Sequence, residues 1–184
     1  MSIVKGCLAN DRPDAAVLMA ERGARLDLET AAGVGRLDVV KTYFDDDGRL
    51  TAAASQKLLD HGFIWACEYG RRDVVGFLID RGVNLRAGEN TGQTALHLAA
   101  HHGQLEIVKL LLARGALLEA KNCYGGTVLG QATWSCINSG LDADYAPVIK
   151  ALLEAGADVR EADYPTGNAG IDDLLRRHGA GVRH

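Results

Sequence analysis

The residues of this 184-residue chain best suited to chemistry are its six histidines, four cysteines and short acidic runs. Cys7, Cys67, Cys123 and Cys136 lie far apart, and none sits in the C-x-x-C spacing of a structural zinc site or a thioredoxin-like motif. They read as free thiols of a reducing compartment. His101 and His102 are adjacent, so on a helix their side chains point about 100° apart, a poor arrangement for holding one metal ion. Asp45, Asp46 and Asp47 precede Gly48 without the alternate spacing of a calcium loop, and read as a solvated turn. The chain holds no G-x-S-x-G, no H-E-x-x-H and no phosphate-binding loop. Gly33-Val34-Gly35 is a two-glycine fragment with no strand before it. Cys67 with His101 or His102 is the one conceivable thiol–imidazole pair. The expectation is no catalytic residue, no metal and no cofactor.

Composition narrows the partners. Net charge is −4 with a pI near 5.8, which argues against nucleic acid as the main partner. No run reaches the ~18 apolar residues of a membrane helix. The N-terminus lacks an apolar signal segment, and Gly6-Cys7, preceded by Lys5, is a poor lipoprotein site. The chain is therefore expected to be a cytoplasmic monomer that binds neither nucleic acid nor membrane. Apolar residues at 47% and charged residues at 24% are ordinary for a folded chain, while aromatics at only 5% disfavour a β-sandwich. The unusual pair of counts is 22 Gly against 3 Pro.

The glycines recur. Gly70 and Gly103, Gly82 and Gly115, and Gly92 and Gly125 are each separated by 33 residues. Val75 falls on Val108, Leu78 on Leu111, and Thr94-Ala95-Leu96 on Thr127-Val128-Leu129. A fixed period of this size signals stacked repeats. Thr94 is placed to cap a first helix running to about His102, which Gly103 ends in the left-handed conformation. A second helix follows over about 105–114, with Ile107, Val108, Leu111 and Leu112 on one face and Gly115 as its stop. A further copy ends at Ala155-Gly156-Ala157, carrying about eight extra residues near 135–145. Gly35-Arg36-Leu37-Asp38 echoes Gly70-Arg71-Arg72-Asp73, and 15–23 and 171–179 resemble half-units. Thr51–Asp60 reads as extra helix capped by Thr51, and 24–35 reads as too short for a hairpin and a first helix.

Gly92-Gln93-Thr94-Ala95-Leu96-His97-Leu98-Ala99-Ala100-His101-His102-Gly103 resembles the ankyrin repeat, G-x-T-P-L-H-x-A-A-x-x-G followed by a V-x-x-L-L-x-x-G-A helix. Ala95 replaces the family proline, and Gly130 stands where the next copy should have histidine. The chain also looks like small bacterial ankyrin-repeat proteins. The resemblance implies an all-α solenoid of helix–turn–helix units with short hairpin fingers. It divides one domain, 1–184, into degraded units at 1–50, repeats at about 51–88, 89–121 and 122–160 with the 135–145 insertion, and a C-terminal cap at 161–184. It also implies that Thr94 and His97 hydrogen-bond locally and to the neighbouring unit, and that Cys67 fills a position usually held by alanine, which favours packing over chemistry.

The implied function is protein binding through the concave groove and finger tips. Carried over from copy to copy, Glu68 and Tyr69 fall where His101 and His102 fall, and Trp134 falls at the His101 position. Cys123 and Tyr124 fall on a finger. Trp65, Glu68, Tyr69, Asn90, Gln93, His101, His102, Cys123, Tyr124 and Trp134 are the expected partner-binding residues, since Tyr and Trp are enriched at interaction hot spots. The competing reading is that the tryptophans pack between helices. The alternative function is a ligand-binding or enzymatic pocket lined by Trp65, Glu68, His101, His102 and Trp134, with the insertion residues Asp142, Asp144 and Tyr145 closing one end.

Overall fold

The computed structural model describes residues 2–88 and 91–181. It divides into two compact units, Met1–Gly88 and Glu89–His184. Among the described residues the elements are eleven α-helices and one 3-10 turn, with no named strand.

In the first unit, α1 (Ile3–Leu8) pairs with α2 (Pro13–Glu21), α3 (Leu28–Val34) is followed by α4 (Leu37–Lys41), and α5 (Gln56–Glu68) by α6 (Arg72–Asp80). The segment expected to be too short therefore holds a complete first helix. A two-residue turn suffices to connect α3 to α4, so no extra chain is needed. Asp27 and Thr30 form a reciprocal capping box at the start of α3, each side chain accepting the other's backbone N–H at 2.9 Å. The expected cap at Thr51 is also corrected. Residues 51–54 turn, and α5 begins after Ser55, whose hydroxyl accepts the Leu58 N–H at 3.3 Å.

Helix α3 is buried along its whole length and packs on α5. Gly62 permits that approach, because a Cβ there would lie 3.1 Å from both the Ala32 Cβ and the Glu29 Cα. The carboxylate of Glu29 is 1% exposed and is compensated by Lys5 of α1, with His61 Nδ1 at 3.7 Å. The acidic run folds as the solvated turn expected of it: Asp45–Asp47 are exposed, and Asp45 N donates to Arg49 O at 2.9 Å.

In the second unit, α7 (Ala95–His101) and α8 (Leu105–Ala113) form one pair, and α9 (Val128–Asn138) and α10 (Tyr145–Glu154) the next. First helix packs on first helix, α7 on α9, and second on second, α8 on α10. The 3-10 turn Val159–Glu161 rests on α9, and α11 (Ala169–Arg177) packs on α10. Gly103 ends α7 at φ +68° and Gly115 follows α8 at φ +79°, the left-handed stops expected from the period. The inserted residues lengthen α9 to 11 residues against 7 in α7 and then form the 139–144 connection. Tyr145 pins it, buried, with its hydroxyl donating to the His101 carbonyl at 2.8 Å.

Candidate functional site

The second unit carries a groove of about 650 Å³. It is built from Gln93 ahead of α7, His101 at the end of α7, the finger at 122–126, the face of α9 that carries Gln131 and Trp134, and the chain at 161–163. Local hydrogen bonds hold its walls together. Thr94 N donates to His97 Nδ1 at 3.2 Å, so His97 Nε2 carries the proton and donates to the Gly126 carbonyl at 3.3 Å. The buried imidazole thereby ties α7 to the next finger, and burial lowers its pKa below the ordinary value of 6.5. Cys123 N donates to the Thr91 carbonyl at 2.7 Å, which ties this finger to the chain that leads into α7.

Side-chain amides line the floor. Gln131 Oε1 accepts from Gln93 Nε2 at 3.1 Å and from Asn122 Nδ2 at 3.3 Å. The Asn122 Oδ1 accepts the Tyr124 and Gly126 N–H groups, each at 3.0 Å, which fixes the finger tip. On α9, Ser135 Oγ donates to the Gln131 carbonyl at 2.6 Å and lies 2.6 Å from His101 Nδ1. Aromatic surface borders this floor: Trp134 is 47% exposed and Tyr124 81%. The Trp134 ring sits 6.4 Å from that of His101. Glu161 and Asp163 add two carboxylates to the lining.

Of the expected binding residues, the groove brings together Gln93, His101, Tyr124 and Trp134. Cys123 is exposed on the same finger, and His102 is half-buried; neither lines the groove. Asn90 lies outside the described residues. In the first unit, Glu68 is half-buried, and Trp65 is half-buried against the cluster of Val4, Leu8, Ala16, Ala20 and Val34. Tyr69 is a correction: it belongs to that core cluster, and its hydroxyl donates to the Leu8 carbonyl at 2.8 Å. Helix α1 supplies the lid that the repeat alignment did not anticipate.

The insertion does not close the groove either. Residues 139–144 are absent from its lining, Tyr145 is buried beneath, and the wall comes instead from Glu161 and Asp163. Those two acids, with Asn122 and Gln131, were missed from sequence. One signal was available: Gln131 falls at the repeat position of Leu98, which is buried, so a polar residue breaks an apolar register there.

Comparison with known proteins decides the family. A family model of ankyrin repeats in three copies matches residues 28–122 and 63–163. The chain belongs to the ankyrin-repeat family. It is 32% identical over 101 residues to the E3 ubiquitin-protein ligase hecd-1 of Caenorhabditis elegans, covering 55% of this chain and 4% of that protein. It is 35% identical over 97 residues to ankyrin repeat and SOCS box protein 16 of Mus musculus, covering 47% and 21%. It is 31% identical over 125 residues to the B-cell lymphoma 3 protein homolog of Mus musculus, covering 60% and 26%. The chain thus spans between 4% and 26% of the length of these relatives. They are eukaryotic, and the likeness to small bacterial ankyrin-repeat proteins rests on the sequence reading alone.

Within an ankyrin-repeat protein, the departure at Gly130 has a steric reason. A Cβ at this position would meet the Glu161 carbonyl oxygen at 2.8 Å. The missing side chain lets the 159–163 segment lie against α9, where Asp163 N also donates to Thr133 Oγ1 at 2.9 Å. Gly130 thus gives room for the segment that carries the groove's two acids. Cys67 is fully buried, with burial pushing its thiol well above the ordinary range, as packing in an alanine position predicts. No helix among the described residues is long and apolar enough to cross a membrane.

Proposed function

We propose that the chain is a non-catalytic protein-binding module and that the second unit's groove, with the 122–126 finger, is its partner face. Ankyrin repeats generally mediate protein–protein interactions. The observation that carries the assignment to this face is the pairing of two exposed aromatics, Trp134 and Tyr124, with a pre-ordered amide floor in a chain otherwise poor in aromatic residues. Exposed tryptophan and tyrosine beside fixed polar groups are the make-up of an interaction hot spot. The acidic charge and the absence of a metal or catalytic motif in the sequence agree with an adaptor or scaffold acting as a cytoplasmic monomer.

A photo-crosslinking amino acid at position 124 tests this in the native host. Leu117, exposed at 44% and outside the groove, is the comparison site. A defined partner crosslinked from 124, not from 117, and lost with Trp134→Ala is the expected result. Equal capture from both positions, or capture indifferent to Trp134→Ala, would sink the assignment.

A further inference from the structure

The groove's lining has a one-sided charge. Its carboxylates are Glu161 and Asp163, and no lysine or arginine lines it. Glu161 is already partnered, since Lys121 Nζ donates to both of its carboxylate oxygens at 3.0 and 3.2 Å. Asp163 differs. Its backbone N–H is held by the buried Thr133 hydroxyl, its side chain is exposed, and no ion pair among the described residues engages its carboxylate. The indole of Trp134 lines the same space. An exposed carboxylate on an anchored backbone and a half-exposed indole lining one groove are the two groups that recognise a side-chain cation.

We propose that this groove selects a basic side chain, arginine above lysine, on an extended segment of a partner protein. The inference rests on the groove being the partner face and names what that face reads. Arginine is favoured because a planar guanidinium stacks on an indole while donating paired hydrogen bonds to a carboxylate, which a lysine ammonium does not do. An extended segment is favoured because the space of about 650 Å³ exceeds one side chain. Bare main chain at Gly125, where an added Cβ would meet nothing within 4 Å, also lines it, so a peptide backbone can approach closely there. The chain's net charge of −4 adds long-range attraction for such a partner, to be weakened by salt.

The test uses the full chain and three peptides, acetyl-Gly-Ala-X-Ala-Gly-amide with X as arginine, lysine or citrulline, followed through the Trp134 indole N–H resonance. Citrulline keeps arginine's shape and removes its charge. The arginine peptide is expected to shift the indole saturably, with lysine weaker and citrulline weaker by about tenfold or more, the equivalent of 1.4 kcal/mol. Asp163→Asn should weaken the arginine peptide several-fold. Glu154→Gln, which alters an exposed acid paired with Lys150 outside the groove, should leave it unchanged. Equal binding of arginine and citrulline, no effect of Asp163→Asn, or failure of all three peptides to reach the indole overturns the inference. A selection from random displayed peptides then separates the two levels. Peptides that need Trp134 but carry no basic residue leave the partner face standing and this inference fallen. Peptides indifferent to Trp134→Ala remove both.

Discussion

Gly130 shows how a single missing side chain shapes the site. Consensus substitutions usually stabilise repeat proteins, and the family residue here is histidine. In this chain the Cβ alone would stand 2.8 Å from a backbone oxygen, that of Glu161, which cannot rotate aside. Gly130→His is therefore expected to destabilise by about 1–3 kcal/mol, the usual cost of overpacking. It should also displace Asp163 from the groove. Urea unfolding measures the first effect, and an unchanged midpoint would contradict the contact. His97 makes a prediction of opposite chemical character. Burial lowers its folded pKa below 6.5, so between that lowered value and 6.5 the unfolded chain binds more protons than the folded one. Stability should accordingly rise with pH through this window and be lost on acidification from pH 7.5 to 5. Carboxylates lowered by hydrogen bonds, such as Asp172, act at more acidic pH. Urea midpoints measured across that range should fall for the native chain and change less with pH in His97→Gln. An equal slope in both would remove His97 as the cause.

At the scale of the helix, the 33-residue period made α7 and α8 legible, because each stops at a glycine in the left-handed conformation, and it placed the Thr127 start of α9. Gly103 and Gly115 share that conformation, at +68° and +79°, but not their surroundings. A Cβ on Gly115 meets nothing within 4 Å, whereas one on Gly103 would lie 2.8 Å from the Ala143 Cβ in the insertion. Gly115→Ala should therefore show only the left-handed backbone cost, about 1–2 kcal/mol. Gly103→Ala should cost more, with the difference reporting the insertion's contact. Equal losses in urea unfolding would mean the insertion yields freely. Where the period faded, local reading failed. The Thr51 start was misplaced because an alanine-rich stretch reads as helix, while the side-chain cap is made by Ser55. Tyr69 was read as surface because its burial depends on Leu8, sixty-one residues earlier, a contact no repeat alignment contains. Asp163 was invisible for a related reason: it lies beyond the last recognisable repeat, and it meets α9 through the Gly130 vacancy beside Glu161 and its own hydrogen bond to Thr133.

For the molecule as a whole, stacked helix pairs leave an apolar face wherever the stacking stops, because each pair buries its core only against neighbours. In the second unit α11 packs on α10 and buries its own apolar side there. It is the most one-sided of the helices: Ile171 and Leu175 are buried, at 2% and 0% exposure, while Arg176, Arg177 and His178 face solvent. Its start is capped twice over. Asn168 Oδ1 accepts the Gly170 and Ile171 N–H groups at 3.0 and 3.2 Å, and Asp172 accepts from the Thr166 N–H and hydroxyl at 2.7 and 2.8 Å. This local bonding fixes the start of α11 where it packs on α10. Leu175→Ala is expected to destabilise by about 2–5 kcal/mol, as for other fully buried leucines. Hydrogen exchange should locate the loss first in α10 and α11, since these two helices pack together. If exchange instead accelerated only within α11, the helix would be an appendage to the stack, not part of it.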